Sequence, residues 1–136
     1  MNFTYYVDED KEIINLINDS FETSVNVSKI ELLNNQRILL LKDNNRVIGV
    51  TIITLKLNPI KKKKTFYLDY VCIDKNYRQQ GLGEKMLKEV ERIAKEENID
   101  YIELDSNKKR VAARNLYAKL NFEIEDKDLF KKSVKG

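Results

Sequence analysis

Arg78-Gln79-Gln80-Gly81-Leu82-Gly83 puts two of the chain's four glycines within three positions, where an apolar run ends and a helical pattern begins. A helix starting at Gly81 leaves its first N–H groups unpaired, with the positive end of the helix dipole beside them. Glycines without a Cβ let an anion approach those amides, and Arg78 adds a charge and a planar set of donors, so a diphosphate would suit the position. A bare Gly-x-Gly pair fits a tight turn into a helix equally well. Two other phosphate motifs fail here. The third glycine of the dinucleotide fingerprint would fall on Met86, and Glu84-Lys85 stands where a Walker loop needs Gly-Lys-Ser/Thr.

The remaining chemical inventory is narrow. The chain has no histidine, which excludes Ser-His and Cys-His pairs and any His-based metal site, and no metal is expected. Chemistry must draw on Tyr, carboxylates, Lys, Cys, water or the main chain. Asp69 is the polar exception inside "TFYLDYVCI". Cys72 is the only cysteine, so it has no disulfide partner in the chain, and without a histidine to activate it it reads as a small core residue. Lys61-Lys62-Lys63-Lys64 reads as a solvated loop or as protection against edge pairing.

The elements that must position these residues follow from periodicity. Asp10 is placed to cap a helix carrying Ile13, Ile14 and Ile17, and a second short helix is expected over residues 28–34. "RILLLKDNNRVIGVTIITLKL" reads as a hairpin turning at Asp43-Asn44-Asn45. "TFYLDYVCI" is a strand with Leu68, Tyr70 and Cys72 on one face and Tyr67, Asp69, Val71 and Ile73 on the other. A helix runs from Gly81 to about Asn98, with Leu82, Met86, Val90, Ile93 and Ala94 at helical spacing. "YIELD" is a short strand, "KRVAARNLYAKL" a helix, and "FEIEDKDLFKKSV" a closing hairpin. The helix-linked strands of the second half predict a parallel pair inside a mixed sheet, an α/β fold. At 136 residues, with no linker-like stretch, one domain over 1–136 is expected.

Taken together, "RQQGLG" after the strand "YLDYVCI" resembles the coenzyme A signature of the GCN5-related N-acetyltransferase (GNAT) superfamily. Downstream, "SNKKRVAARNLYAKLNF" is similar to that family's second motif, aligning Asn107, Ala113, Tyr117, Lys119 and Phe122. Asn121 replaces the usual glycine before Phe122 and is able to take the same left-handed conformation.

The resemblance implies a GNAT-type fold and transfer of acetyl from acetyl-coenzyme A, as cosubstrate, to a primary amine of a small molecule or peptide by direct attack in a ternary complex. It implies that the pantetheine arm bonds the main chain of Val71 and Ile73. The pyrophosphate would meet amides from Gln79 through Glu84 (Gln79, Gln80, Gly81, Leu82, Gly83, Glu84), with Arg78 beside them, and a strand N–H near Cys72 would hold the oxyanion. Asn107, Arg110 and Ala113 join the coenzyme site, with one of Lys108, Lys109 and Arg110 meeting the 3′-phosphate. Tyr117 would donate to the departing thiolate; spacing alone reads it as a core or rim aromatic. Asp69 is the best-placed base or else a structural carboxylate, ahead of Glu22, Glu103 and Asp105.

The alternatives are an acyl-coenzyme A sensor without turnover and, given the lysine clusters, a nucleic-acid-binding module. A net charge of +3 is too balanced for a dedicated nucleic-acid module. No signal pattern and no bilayer-length apolar run is visible, so a cytoplasmic location and no membrane partner are expected, as a monomer or homodimer. The acceptor-side segments carry no legible motif.

Overall fold

These periodicities become architecture in a computed structural model that describes every residue except 107, 108 and 136. Two compact units form, Met1–Asp105 and a smaller one beginning at Ser106. In the larger unit, β1 (Asn2–Tyr5), β2 (Gln36–Asp43), β3 (Arg46–Asn58), β4 (Lys63–Ile73) and β5 (Tyr101–Leu104) make one sheet in sequence order. Neighbours are antiparallel except β4 and β5, which run parallel. A parallel neighbour needs a crossover, and α2 (Leu82–Glu96) supplies it. The result is the mixed α/β sheet that the order of elements predicts.

The two helices of this unit, α1 (Asp10–Phe21) and α2, cover opposite faces. Ile13, Leu16 and Ile17 of α1 pack with Ile38, Leu40, Val50 and Cys72. Leu82 and Met86 of α2 pack with Leu41 and Ile48. Leu40 and Leu41 are successive residues of β2, and strand alternation sends them to different faces. Gly49 lets the layers close. A Cβ there would lie 2.9 Å from Ile73 Cδ1, 3.0 Å from Met86 Cε and 3.2 Å from Leu41 Cβ, so a side chain would force the tips of Ile73 and Met86 to turn aside. At the β2–β3 turn Asn44 and Asn45 both have positive φ, 49° and 70°, the left-handed pair that a two-residue hairpin needs.

Three local expectations are corrected. Asp10 is the first residue of α1 and not its cap; Glu9 takes the cap position, its carboxylate accepting from the amides of Val7 and Asp8 and from Lys42 Nζ. Residues 28–34 contain no helix: Ile30 and Leu32 pack on the α1-side core at strand-like spacing, and Asp10 Oδ2 accepts from the amide of Ile30 at 2.6 Å. The closing hairpin is not formed: residues 120–135 hold no strand. A lone hairpin is marginal in water, and Ile124, Leu129, Phe130 and Val134, each more than four-fifths exposed, find no cover.

The largest departure lies in β4. Its register with β3 steps from Ile52↔Asp69 to Val50↔Cys72, so Tyr70 and Val71 together oppose Thr51. This is a β-bulge, and Tyr70 has the positive φ of 55° that accommodates it. The extra residue resets the alternation beyond it. Cys72 therefore shares the α1 face with Asp69, not the opposite face that a regular strand would give it. Among the described residues no helix is long and apolar enough to cross a membrane.

Thr51, opposite the bulge, is fully buried and its hydroxyl has no hydrogen-bond partner among the described residues. An unsatisfied buried hydroxyl costs more than the methyl that would replace it. Thr51→Val is expected to raise unfolding free energy by about 1 kcal/mol in urea titrations; a loss of similar size would contradict this packing.

Candidate active site

The parallel pairing of β4 with β5 ends at Leu68↔Leu104. From Asp69 onward, the outer edge of β4 has no strand partner among the described residues. Which main-chain groups face that edge follows from one hydrogen bond. Asp74 N donates to Ile48 O on β3 at 2.7 Å, so the amides two residues apart, Asp74 and Cys72, turn toward β3 and those of Ile73 turn outward. Val71, inside the bulge, has no register partner. The outward carbonyl of Ile73 accepts from Arg78 Nε at 3.2 Å. Arg78 thus braces the strand end from the loop that follows it. The Cys72 side chain is buried in the α1-side core.

That loop is built to reverse and open. Asp74 Oδ1 accepts from the Asn76 amide at 2.9 Å, starting a 3-10 turn over Lys75–Tyr77, and Tyr77 Oη donates to Asp43. Gln79 and Gly81 then both take left-handed conformations, φ 63° and 72°. Gln79 bears a strain that a glycine would not, and such strain is found where surrounding structure over-determines it. Gly81 is the N-cap of α2, and the first helical bond is donated by Lys85 N to Gly81 O at 3.1 Å. The amides of Leu82 and Gly83 precede it and are left over by the helix. The Glu84 carboxylate, which an anion would not welcome, is paired with Lys88. The apolar side of α2 holds this helix start down: Leu82 and Met86 are buried.

Asp69 lies on the α1 face beside the open edge. Tyr67, two residues earlier on the same face, donates its hydroxyl to Asp105 Oδ2 in a short hydrogen bond. Burial, and then the charge of Asp105, raise the proton affinity of Asp69, against the opposing charge of Lys56. Lys56 Nζ sits 4.2 Å from the centre of the Tyr67 ring. Burial and the Asp105 hydrogen bond likewise push the Tyr67 phenol up. Tyr67 and Lys56 carry no sequence signal as site residues; only the register Thr54↔Tyr67 and Lys56↔Thr65 brings them to Asp69. Nearby, Tyr70 of the bulge meets Phe21 edge-on, ring centres 5.3 Å apart.

In the smaller unit, α3 (Val111–Lys119) carries Tyr117. Asn121, at φ 68°, ends the helix in the left-handed conformation expected of it. Asn121 N bonds Ala118 O at 3.1 Å and Phe122 N bonds Tyr117 O at 3.0 Å, the paired bonds of a Schellman ending. The same ending brings Phe122 edge-on to Tyr117, ring centres 5.8 Å apart. Burial raises the Tyr117 phenol above its usual range, with the Arg110 charge opposing. Arg110 is the exposed N-cap of α3 and Ala113 lies half-buried in its first turn. Asn107 falls outside the described residues.

The profile of the acetyltransferase (GNAT) family matches residues 6–122. A search of curated protein sequences found no match. Among solved structures the chain is similar to an aminoglycoside acetyltransferase from an uncultured soil metagenomic sample, at TM-score 0.83 and 18% identity, covering 98% of this chain and 96% of that one. It is also similar to a possible acetyltransferase from Clostridium difficile 630, at TM-score 0.79 and 16% identity over 99% and 98% of the two chains. A ribosomal-protein-alanine N-acetyltransferase from Brucella melitensis biovar Abortus 2308 follows, at TM-score 0.77 and 12% identity over 98% and 99%. At such identities the likeness shows the fold.

A Cβ on Gly81 would meet nothing within 4 Å, so only its positive φ restricts the position. Gly81→Ala is expected to cost about 1–2 kcal/mol of stability in chemical denaturation, and Gly81→Asn clearly less. Equal losses for the two variants would show that the left-handed turn is not what the glycine serves.

Proposed function

The chain belongs to the GNAT family of acetyltransferases, and on that premise we propose that it transfers the acetyl group of acetyl-coenzyme A to a primary amine by direct attack in a ternary complex. One observation carries this reading. The unpartnered edge of β4 runs straight into a loop with two left-handed residues and then into the start of α2, which places strand-like main-chain groups and helix-terminal amides in succession. The arm of the coenzyme suits the first and its pyrophosphate the second.

When bound, acetyl-coenzyme A supplies an acyl group activated as a thioester. The main chain of Val71 and Ile73, beside Cys72, binds the arm along the strand edge. Ile73 offers both an outward amide and a carbonyl, and Arg78 must yield that carbonyl for it to be used. Gln79, Gln80, Gly81, Leu82, Gly83 and Glu84 contribute amides to the pyrophosphate, with Arg78 close by; Asn107, Arg110 and Ala113 complete the coenzyme site from the second motif. An outward strand amide beside Cys72 stabilises negative charge on the acyl oxygen.

Asp69 acts as base. An amine reaches the protein as an ammonium ion and must lose a proton before it attacks, directly to Asp69 or through water. Burial and the neighbouring Asp105 make Asp69 more basic than a solvated carboxylate, which improves it for this task. The Tyr67 hydroxyl occupies Asp105 and leaves Asp69 as the carboxylate available. Tyr117, its phenol raised by burial, keeps its proton throughout the neutral range and holds it for the leaving group. The acceptor is an amine of a small molecule or a peptide, both classes being represented among the structural neighbours by an aminoglycoside acetyltransferase and a ribosomal-protein-alanine N-acetyltransferase. The protein acts in the cytoplasm as a single domain.

Thiol release from acetyl-coenzyme A, measured against a panel of amines, tests the reading. Tyr117→Phe is expected to lower kcat on a good acceptor by at least about tenfold; unchanged turnover would remove Tyr117 from the mechanism. Asp69 must be ionised to act, so kcat/KM should rise with pH through its elevated pKa. Asp105→Asn removes one of the charges that raises it, and the acid limb should move to lower pH. A limb that stays in place in both Asp105→Asn and Asp69→Asn would assign the base to another group.

A further inference from the structure

Beyond the site, the β3–β4 hairpin projects from the sheet. β2 pairs with β3 only as far as Gln36↔Thr54, and β5 meets β4 only from Thr65↔Tyr101. The pairs Leu57↔Lys64 and Asn58↔Lys63 therefore extend past both neighbours as a two-stranded arm, with Lys56 at its base. Its nine residues, 56–64, read Lys-Leu-Asn-Pro-Ile-Lys-Lys-Lys-Lys, five lysines and no acidic residue.

The apex is fixed in place. Asn58 Oδ1 accepts from the amides of Ile60 and Lys61, both at 3.1 Å, and Lys62 takes φ 54° to close the turn. At the base, Asp100 accepts from the Lys64 amide at 2.8 Å and returns a bond from its own amide to Lys64 O at 2.9 Å. This rigid turn holds Ile60 88% exposed and leaves Leu57 60% exposed, among exposed lysines. Lys63 has a loose ion pair with Asp100 at 3.8 Å and Lys56 lies over Tyr67. Lys61 and Lys62 form no ion pair among the described residues.

A large apolar side chain at the tip of a rigid arm, ringed by lysines, matches a surface that is negatively charged outside and apolar just beneath. We propose that this arm docks the protein on an anionic lipid bilayer, Ile60 entering the headgroup boundary while the lysines meet the lipid phosphates. Charge complementarity alone would also admit a nucleic acid. The arm, however, holds no arginine and no aromatic residue, so it lacks both the planar donors that read bases and the rings on which unpaired bases stack. Such docking is peripheral and needs no spanning segment, and it is independent of the chemistry at the β4 edge.

The full chain contains no tryptophan, so Ile60→Trp gives a single reporter at the apex. With vesicles of phosphatidylcholine containing about one-third phosphatidylglycerol, its emission should shift to the blue and the protein should sediment with the vesicles. Pure phosphatidylcholine should do neither, and raised salt should release the protein. Loss of charge should weaken binding about fivefold per lysine, so Lys61→Glu with Lys62→Glu should abolish sedimentation of the otherwise native chain. Ile60→Ser should weaken it with the charge unchanged. The proposal is overturned by equal binding to neutral vesicles, by no loss in the lysine variant, or by salt-sensitive binding to a single-stranded RNA homopolymer with no binding to anionic vesicles.

Discussion

An antiparallel ladder cannot absorb an odd residue without turning every later side chain to the other face, and that constraint governs this molecule. The extra residue at Tyr70–Val71 costs a left-handed conformation at Tyr70, φ 55°. In return β4 stays registered with β3 on both sides of the bulge, and β5 ends at Leu104 before reaching it. The parallel pairing stops at Leu68, and the strand edge beyond is released at the point where Asp69 stands.

Packing then holds that edge in position. Gly49 leaves room for the side-chain tips of Ile73 and Met86, which would lie 2.9 and 3.0 Å from a Cβ there, so the end of β4 and the start of α2 pack against the same point on β3. Arg78 closes the short loop between them through the Ile73 carbonyl. The two left-handed residues, Gln79 and Gly81, compress the reversal into a few positions and leave the first amides of α2 without intrahelical partners. Electrostatics on the α1 face is set separately: Asp105 is engaged by Tyr67, and Asp69 is left with raised proton affinity.

The parts of this that local chemistry controls were legible in the residues. Helical spacing located α2, paired asparagines marked the β2–β3 turn, and Asn121 ended α3 as a glycine substitute would. Parts that depend on long-range competition were not. The helix expected over residues 28–34 lost to the packing of Ile30 and Leu32, two residues apart, on the α1-side core. The β-bulge has no sequence marker, since Tyr70 is an ordinary strand residue, and regular alternation therefore put Cys72 on the wrong face. Tyr67 and Lys56 reach Asp69 through strand register, which is set across the whole hairpin. In the candidate site, the glycine pair and Asp69 were visible from residue type, whereas the outward or inward turn of each main-chain group required the ladder itself.

On the function proposed above, main-chain groups of β4 beyond its pairing with β5 receive the coenzyme. Residue-resolved amide hydrogen exchange, with and without acetyl-coenzyme A, tests this most directly. In the free protein the Cys72 and Asp74 amides, turned to β3, should be protected while those of Val71 and Ile73 exchange readily. Saturating ligand should slow Val71, Ile73 and the amides of residues 79–84, leaving Cys72 little changed. Binding that leaves Val71 and Ile73 exchanging as before would contradict the account, whatever the activity of the protein.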